Sequence, residues 1–449
     1  LRKDAEAIWW AAVEAVKPQP LLEAALRAPE LAADLGAARH IVVVGAGKAS
    51  AAMAEAFESA AGPLLDRVTG VVNVPAETVR PLRAIRLCAA RPAGSNHPTA
   101  EGVAGTNRIL ELVEKAEPDD VVVCLLSGGG SALLPAPVLG VSLEDKQLIT
   151  KLLHACGATI NEMNAVRKHL SRIKGGGLVR AFHGKAMWSL IISDVIGDPL
   201  DVIASGPTAA DPTTFADALG VLSRYGLPAS APAAVLAHLT AGARGEAAET
   251  LKVLPKIVHN RILANNALAL AAAAKKAEAL GYNVVNLGSF IEGETRQVAV
   301  ALAGIVRGIQ TDGQPLRPPV CVLSGGETTV TLGANHGRGG RNQEFVLAAA
   351  LKLGPDGMRD VVLLSGGTDG EDGPTDAAGA VADYATLERA KALNLSGEAF
   401  LARNDAYSFF EATGDLLKSG LTQTNVMDVR VFLIGSPLSL RSATKIVGS

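Results

Sequence analysis

Four runs of aliphatic, mostly β-branched residues stop abruptly at small residues. They are Ile41–Val44 before Gly45, Val121–Leu126 before Ser127-Gly128-Gly129-Gly130, Val320–Leu323 before Ser324-Gly325-Gly326, and Val361–Leu364 before Ser365-Gly366-Gly367. None alternates apolar with polar positions, as a strand with one wet face would. An unbroken apolar run of this length predicts a strand covered on both faces, the usual state of a parallel sheet. Shorter runs at Gly70–Val74, Ile85–Ala89 and Met187–Ser193 predict further strands in the first half. Between them, helical spacing marks Ala49–Ala60, Thr99–Lys115, Leu143–Ala155 and Glu162–Arg172. The alternation predicts a Rossmann-like, three-layer α/β/α domain with a mainly parallel sheet. Gly175-Gly176-Gly177 reads as a flexible turn within it.

An Ala-, Pro- and Gly-rich stretch, Leu227–Ala248, reads as a surface excursion or linker. A second α/β block, expected to carry a mixed sheet, follows it. Its predicted order is helix Asn265–Leu280, strand Asn283–Leu287, helix Glu294–Ile309, strands Val320–Leu323 and Thr328–Leu332, helix Gln343–Leu351 and strand Val361–Leu364. Helices Thr386–Ala392 and Ala406–Lys418 and strand Val429–Ile434 close it. The expected domains are therefore 1–245 and 246–449, consistent with a length beyond what one core usually serves.

Composition narrows the class. Hydrophobic residues make up 48%, which excludes general disorder. No stretch offers about 20 uninterrupted apolar residues, so no membrane span is expected. Leu1–Leu35 reads as amphipathic helices broken at Pro18 and Pro20, with no signal-peptide pattern, and a cytoplasmic protein is expected. With 42 basic and 45 acidic residues and no basic run, a nucleic-acid partner has little electrostatic support. The four cysteines form no CxxC pair, and Cys124 and Cys321 fall inside predicted strands as small hydrophobes. Monomer and homodimer are both compatible with this composition.

The glycine turns carry the chemistry. In open α/β sheets a ligand crevice lies off the carboxyl ends of the strands. Glycine lets backbone N–H groups approach an anion, and a following helix adds its positive end. Repeated turns of this kind point to an anionic ligand, with phosphate foremost. Gly45-Ala46-Gly47-Lys48-Ala49-Ser50 is not a P-loop, because Val42 stands where that pattern needs glycine. It is not a dinucleotide fingerprint either. Ser50 replaces the third glycine, and strand Gly70–Val74 ends without the acid that holds a ribose. What remains is a strand–turn–helix with Lys48 at the helix start, where a cation opposes the helix dipole unless an anion sits there.

Gly45, Gly47, Ser127, Gly128, Gly129, Gly130, Ser131, Ser324, Gly325 and Gly326 are the candidate substrate- and phosphate-binding positions. Lys48 and Arg341 are the candidate cations. Arg341 and Arg338 lie among glycines, and Arg341 precedes a helix, where a guanidinium can fork onto phosphate oxygens. Asp194 at a strand end, and Asp369 and Asp376 in a Gly-rich loop with Glu371 and Asp372, are candidate ligands for Mg²⁺ or Mn²⁺. Asp194 is also a candidate for orienting an acceptor hydroxyl. The histidines offer no zinc spacing, and no Gly-x-Ser-x-Gly elbow occurs. Residue spacing alone reaches phosphoryl transfer to a small molecule. An NAD(P)H-dependent hydroxypyruvate reductase and a non-catalytic sensor of a sugar-acid phosphate are the rival readings.

Taken together the motifs resemble the class II glycerate kinases, or glycerate 2-kinases, some of which carry the label hydroxypyruvate reductase. The matching segments include VVVGAGKAS, SNHPTAEG, LLSGGGSAL, INEMNAVRKHLSRIKGGGL, IISDVIGDPLDVIASGPTAADPT, LSGGETTVTLG, GRGGRNQEF, LLSGGTDGEDGPTDAAGA and TNVMDVRVFLI, in that order over nearly the whole chain. The resemblance implies an N-terminal Rossmann-like domain and a C-terminal MOFRL-type domain. It implies phosphorylation of D-glycerate by ATP at the 2-hydroxyl, giving 2-phospho-D-glycerate, with Lys48 and Arg341 catalytic. One departure is visible: Gly420-Leu421-Thr422-Gln423 stands where the family usually reads Gly-Pro-Thr.

Overall fold

The computed structural model describes residues 1–92 and 97–435. Ser95 and Asn96 of the SNHPTAEG segment therefore lie outside the described residues. The chain forms two compact units, Pro18–Leu263, and Leu1–Lys17 together with the chain from Ala264 onward.

The first unit is built on a six-stranded sheet. Its strands are β1 (Ile41–Ala46), β2 (Val68–Pro75), β3 (Ile85–Arg91), β4 (Val121–Leu126), β5 (Ala186–Ile192) and β6 (Val258–Ala264). Their spatial order is β3-β2-β1-β4-β5-β6, and the ladders joining β3, β2, β1, β4 and β5 are parallel. This is the doubly wound order, and its reversal point lies between β1 and β4. All six residues of β1 and of β4 are buried, as their unbroken apolar runs predict. Helix starts are written locally. Ser142 and Thr159 each form a capping box, with Asp145 and Glu162 respectively, and so fix the helices Leu143–Ala155 and Ile160–His169. These helices pack with Phe215–Arg224 and Ala233–Ala243 into a second, helical core that includes Leu153, Val166, Leu222 and Leu239.

The second unit holds another six-stranded sheet. Its strands are β7 (Asn283–Asn286), β8 (Val320–Gly326), β9 (Val361–Gly367), β10 (Gly379–Asp383), β11 (Leu416–Leu417) and β12 (Asp428–Ile434). The order is β11-β10-β9-β12-β8-β7. Only the β7–β8 ladder is parallel, so the sheet is mixed, as expected. The buried helix Arg341–Gly357 covers it through Phe345, which stacks on Phe432 of β12 at 5.9 Å.

The structure differs from the sequence expectations at several places. The expected division after residue 245 and the compact units differ at two ends. β6, with a mixed polar pattern that hid it, extends the first sheet. The helix Arg2–Ala15 joins the second unit, where buried Trp9 donates its indole N–H to the Gly366 carbonyl at 3.2 Å. Thr328–Leu332 is not a strand; it keeps one bridge, Thr329 to Glu294. The expected helix Ala406–Lys418 stops at Thr413 and continues into β11, because Gly414 takes a left-handed φ of 74°. Gly175-Gly176-Gly177 is not loose. All three are buried, and Gly175 and Gly176 donate to the carbonyls of Ser205 and Gly206 at 3.0 and 2.7 Å.

Candidate active site

At the reversal point of the first sheet, the turns after β1 and β4 are locked together. Ser127 N–H donates to the Ala46 carbonyl at 3.2 Å, and Lys48 N–H to the Gly128 carbonyl at 2.8 Å. The buried Ser127 hydroxyl accepts from Ala49 N–H at 3.0 Å and bonds Ser50 Oγ at 3.1 Å. Gly47 has no room for a side chain, since a Cβ would sit 2.0 Å from Ser127 Oγ. Gly129 adopts φ 74°, the left-handed region that turns the chain into the short helix Gly130–Leu133. A Cβ on Gly129 would lie 3.5 Å from Lys48 Cγ and 3.7 Å from an Arg91 amino nitrogen. Lys48 and Arg91 therefore flank the glycine turn. Lys48 is half-buried, and Arg91, at the end of β3, is buried. Sequence reasoning missed Arg91 because its strand ends without a glycine signal. Gly45 is buried in β1, where a Cβ would lie 2.1 Å from the Leu125 carbonyl oxygen. Asp194 follows β5 after Ser193 and is half-buried.

Beside this turn lies a group in which the sequence reading singled out only Ser131. Ser131 Oγ meets the Lys174 ammonium at 2.6 Å, the Arg167 guanidinium at 2.5 Å and Ser205 Oγ at 2.8 Å. Lys174 also donates to the Ser131 carbonyl at 2.7 Å. Asn164 Oδ1 accepts from Ser205 Oγ at 3.3 Å and from Arg167 at 3.5 Å. Lys146, on the capped helix Leu143–Ala155, is buried, and its ammonium has no hydrogen-bond partner. Burial, then the Arg167 charge, pushes Lys146 down to about 7. Burial, then Arg167 and Lys146, pushes Lys174 well below the ordinary lysine range. Burial lowers Arg167 as well, and its charge depresses the protonation of both lysines. In the sequence Arg167 and Lys174 share the segment INEMNAVRKHLSRIKGGGL and Lys146 lies apart, so spacing does not bring the three together.

Ser205 reaches this group from a strained turn. Ala204, Ser205 and Gly206 have φ of 51°, 61° and 62°, three successive left-handed residues, the first two with side chains. Each such non-glycine residue costs roughly 1–2 kcal/mol. The buried triple-glycine turn holds them in place through the two hydrogen bonds already given.

In the second unit, Arg341 opens the helix Arg341–Gly357 and forks onto the fully buried Asp428 at 2.8 and 3.0 Å. Its remaining amino group lies 2.9 Å from Glu327. Burial opposes the Arg341 charge, but Asp428 and Glu327 outweigh it and raise its pKa further. Asn342 and Arg430 complete the shell of Asp428 at 2.9 and 3.3 Å. Burial pushes the Asp428 carboxyl up, but Arg341 and Arg430 win and hold it below its ordinary value. The fork that the sequence reading reserved for phosphate is thus closed on Asp428. Arg338, by contrast, is exposed and stacks on Tyr407 at 4.2 Å. Lysine cannot reproduce the bidentate geometry. Arg341→Lys is therefore expected to lower kcat strongly and Arg338→Lys to leave it nearly unchanged. Equal losses in the two folded variants would show the wrong arginine was chosen.

The acids divide as well. Asp372 caps the same helix, accepting from the N–H groups of Asn342 and Gln343 at 3.0 and 2.8 Å. Burial pushes its carboxyl up to about 7 against those two donors. Asp376 is exposed and committed to Tyr407 Oη at 2.7 Å and the Lys418 ammonium at 2.9 Å, which leaves it ill suited to a metal. Asp369, half-buried, accepts from Glu371 N–H at 3.1 Å. Among the described residues, no three His, Cys, Asp or Glu side chains gather as a metal site.

Ser324-Gly325-Gly326 does not act as a backbone cradle. Gly325 N–H is taken by the Gly288 carbonyl at 2.9 Å. Gly325 is glycine because Asn266 crosses it: a Cβ would lie 1.7 Å from Asn266 Oδ1. Asn266 in turn ties down the carbonyls of Val426 and Asp428 at 2.8 and 2.9 Å. Ser324 and Gly326 are buried strand residues, paired in register with Arg430 and Asp428.

Comparison with known proteins places the chain. Residues 4–240 match the family described as a domain of unknown function, DUF4147, and residues 320–428 match the MOFRL family. A protein of Pyrococcus horikoshii named glycerate 2-kinase is 38% identical over 88% of this chain and 88% of its own. A protein of Agrobacterium vitis with a provisional hydroxypyruvate reductase name is 44% identical over 88% of this chain and 87% of its own. The crystal structure of a Thermotoga maritima glycerate kinase superposes with a TM-score of 0.85 at 36% identity, covering 97% of this chain and 99% of that one. The chain belongs to the class II glycerate kinase family, an N-terminal DUF4147 domain followed by a MOFRL domain.

Proposed function

We propose that this protein transfers the γ-phosphoryl group of ATP to the 2-hydroxyl of D-glycerate. The observation that carries the reading is similarity to glycerate kinases along nearly the full length, at 36–38% identity. The turn geometry agrees with it. Phosphoryl transfer needs positioning and charge neutralisation more than covalent chemistry. A bond forms between the 2-oxygen and the γ-phosphorus, the bond from that phosphorus to the ADP oxygen breaks, and the hydroxyl proton is released to solvent. Lys48 is assigned to neutralising the transferred group, and the turn Ser127–Gly130 to setting its position. Asp194 is assigned to orienting the hydroxyl or to holding Mg²⁺. A bound Mg²⁺ would neutralise the phosphate charge. Arg341 is assigned a charge-neutralising role in the second unit. For the reductase reading, the end of β2 is unfavourable: Asn73 there is buried and donates to Leu133, Gly102 and Thr106, and no acid takes the ribose position.

Phosphorus NMR of the product separates 2- from 3-phosphoglycerate and so tests the regiochemistry. The expected product is 2-phosphoglycerate, formed with Mg²⁺ or Mn²⁺ and lost on adding EDTA. Full activity in EDTA would remove the metal from the mechanism. Oxidation of NAD(P)H by hydroxypyruvate without coupling enzymes would overturn the kinase reading.

No described helix is long and apolar enough to cross a membrane.

A further inference from the structure

We propose that the pocket formed by Lys146, Arg167 and Lys174 around Ser131 and Ser205 binds the carboxylate of the acceptor substrate, and so determines specificity for small hydroxy acids. The proposal rests on the kinase reading for the identity of the acid. The site itself rests on geometry alone.

The first observation is a charge imbalance. Lys146 and Lys174 are 8% and 3% exposed, and Arg167 is half-buried. Buried charges are ordinarily paired with an opposite charge, because removing an ion from water is costly. Lys168, one residue after Arg167, shows the ordinary case, with Asp201 at 2.9 Å and Asp211 at 3.2 Å. Lys146, Arg167 and Lys174 have no such partner: none makes an ion pair with any described residue. The stretches 93–96 and 436–449 contain no Asp or Glu that could supply one. A bound anion would supply the missing charge and hold the lysines protonated.

The second observation is an unused donor. The Lys146 ammonium is buried and bonded to nothing, while its neighbours converge on one serine hydroxyl. Such a group is costly in a site that stays empty. A bound oxyanion would satisfy it.

The third observation concerns donors. A planar carboxylate needs a few converging hydrogen-bond donors, which two lysine side chains, a guanidinium and two hydroxyls provide. Ser205 is held there by consecutive left-handed residues, and strain of this kind concentrates at ligand sites. Ser131 follows Gly130 directly in the chain, so the carboxylate would lie next to the turn that flanks Lys48.

Lys146→Met tests the pocket, since it removes the charge at similar length. The KM for D-glycerate is expected to rise about tenfold to a hundredfold, the loss for a charge-assisted hydrogen bond, with the KM for ATP unchanged. Without ligand the variant is expected to melt at a higher temperature than the wild type, because a repelling, unpaired cation is gone. A purely structural lysine would lower the melting temperature. Should Lys146→Met fail to fold, Arg167→Gln carries the same KM test. An unchanged glycerate KM in a folded variant overturns the proposal, and a raised ATP KM instead reassigns the pocket to nucleotide phosphate and overturns it too. Calorimetric titration of the wild type with D-glycerate separates the two readings. Binding that is lost in Lys146→Met, without turnover in either protein, supports the pocket and sinks the kinase assignment.

Discussion

Replacing Lys48 by alanine is expected to lower turnover by about a hundredfold or more, the scale for losing one preorganised group that stabilises developing charge. The side chain lies along Gly129 at the reversal point of the first sheet, where open α/β sheets place their ligands. Its loss should leave the turn standing. The turn is held by the Lys48 backbone N–H, which alanine keeps, and by the Ser127 and Ser50 hydroxyls. The melting temperature should therefore stay close to that of the wild type while kcat falls. Near-normal kcat in the folded variant would end the assignment of Lys48.

The second large effect is on stability. Asp428 is fully buried, and three groups lean on it: the Arg341 fork, the Arg430 guanidinium and the Asn342 amide. Arg430 is itself buried, packed 4.9 Å over the Phe345 ring, with two of its nitrogens unbonded. Asp428→Asn removes the negative charge that keeps two guanidinium groups balanced. Breaking a buried pair in this way costs about 3–5 kcal/mol, most of it from the charge left behind. Chemical denaturation with a probe in the second unit should show this loss. Arg338→Ala, whose guanidinium stacks at the surface, should cost far less. A change below about 1 kcal/mol for Asp428→Asn would show that the network is solvated and that Arg341 is freer than its contacts suggest.

Much of the first unit's sheet and of the glycine turns beside it is legible in the sequence, and the reason is physical. A strand that is apolar throughout and ends in glycine announces both its burial and the close approach at its end. That is how β1 and β4, and the lysine-bearing turn between β1 and its helix, are read from the sequence. Caps such as Ser142 with Asp145 and Thr159 with Glu162 are local, so the helices they start were found as well. β6 and β10 were missed, since an edge strand with polar positions and a short strand after a Gly-rich loop carry weak periodic signal.

What the sequence alone determined was therefore local: which segments are strands or helices, where a lysine meets a glycine turn, and, through the order of several long motifs, the family. The tertiary structure decided what the repeated Ser-Gly-Gly means. After β4 it is a left-handed turn beside Lys48 and Arg91. In β8 its glycine makes room for Asn266, and in β9 Gly366 makes room for Trp9, where a Cβ would lie 2.8 Å from the indole nitrogen. The tertiary structure also gathered Lys146, Arg167 and Lys174 around Ser131, and it closed Arg341 onto Asp428. Periodicity and spacing report a residue's neighbours along the chain. Charge pairing and desolvation depend on neighbours through space, which packing alone supplies.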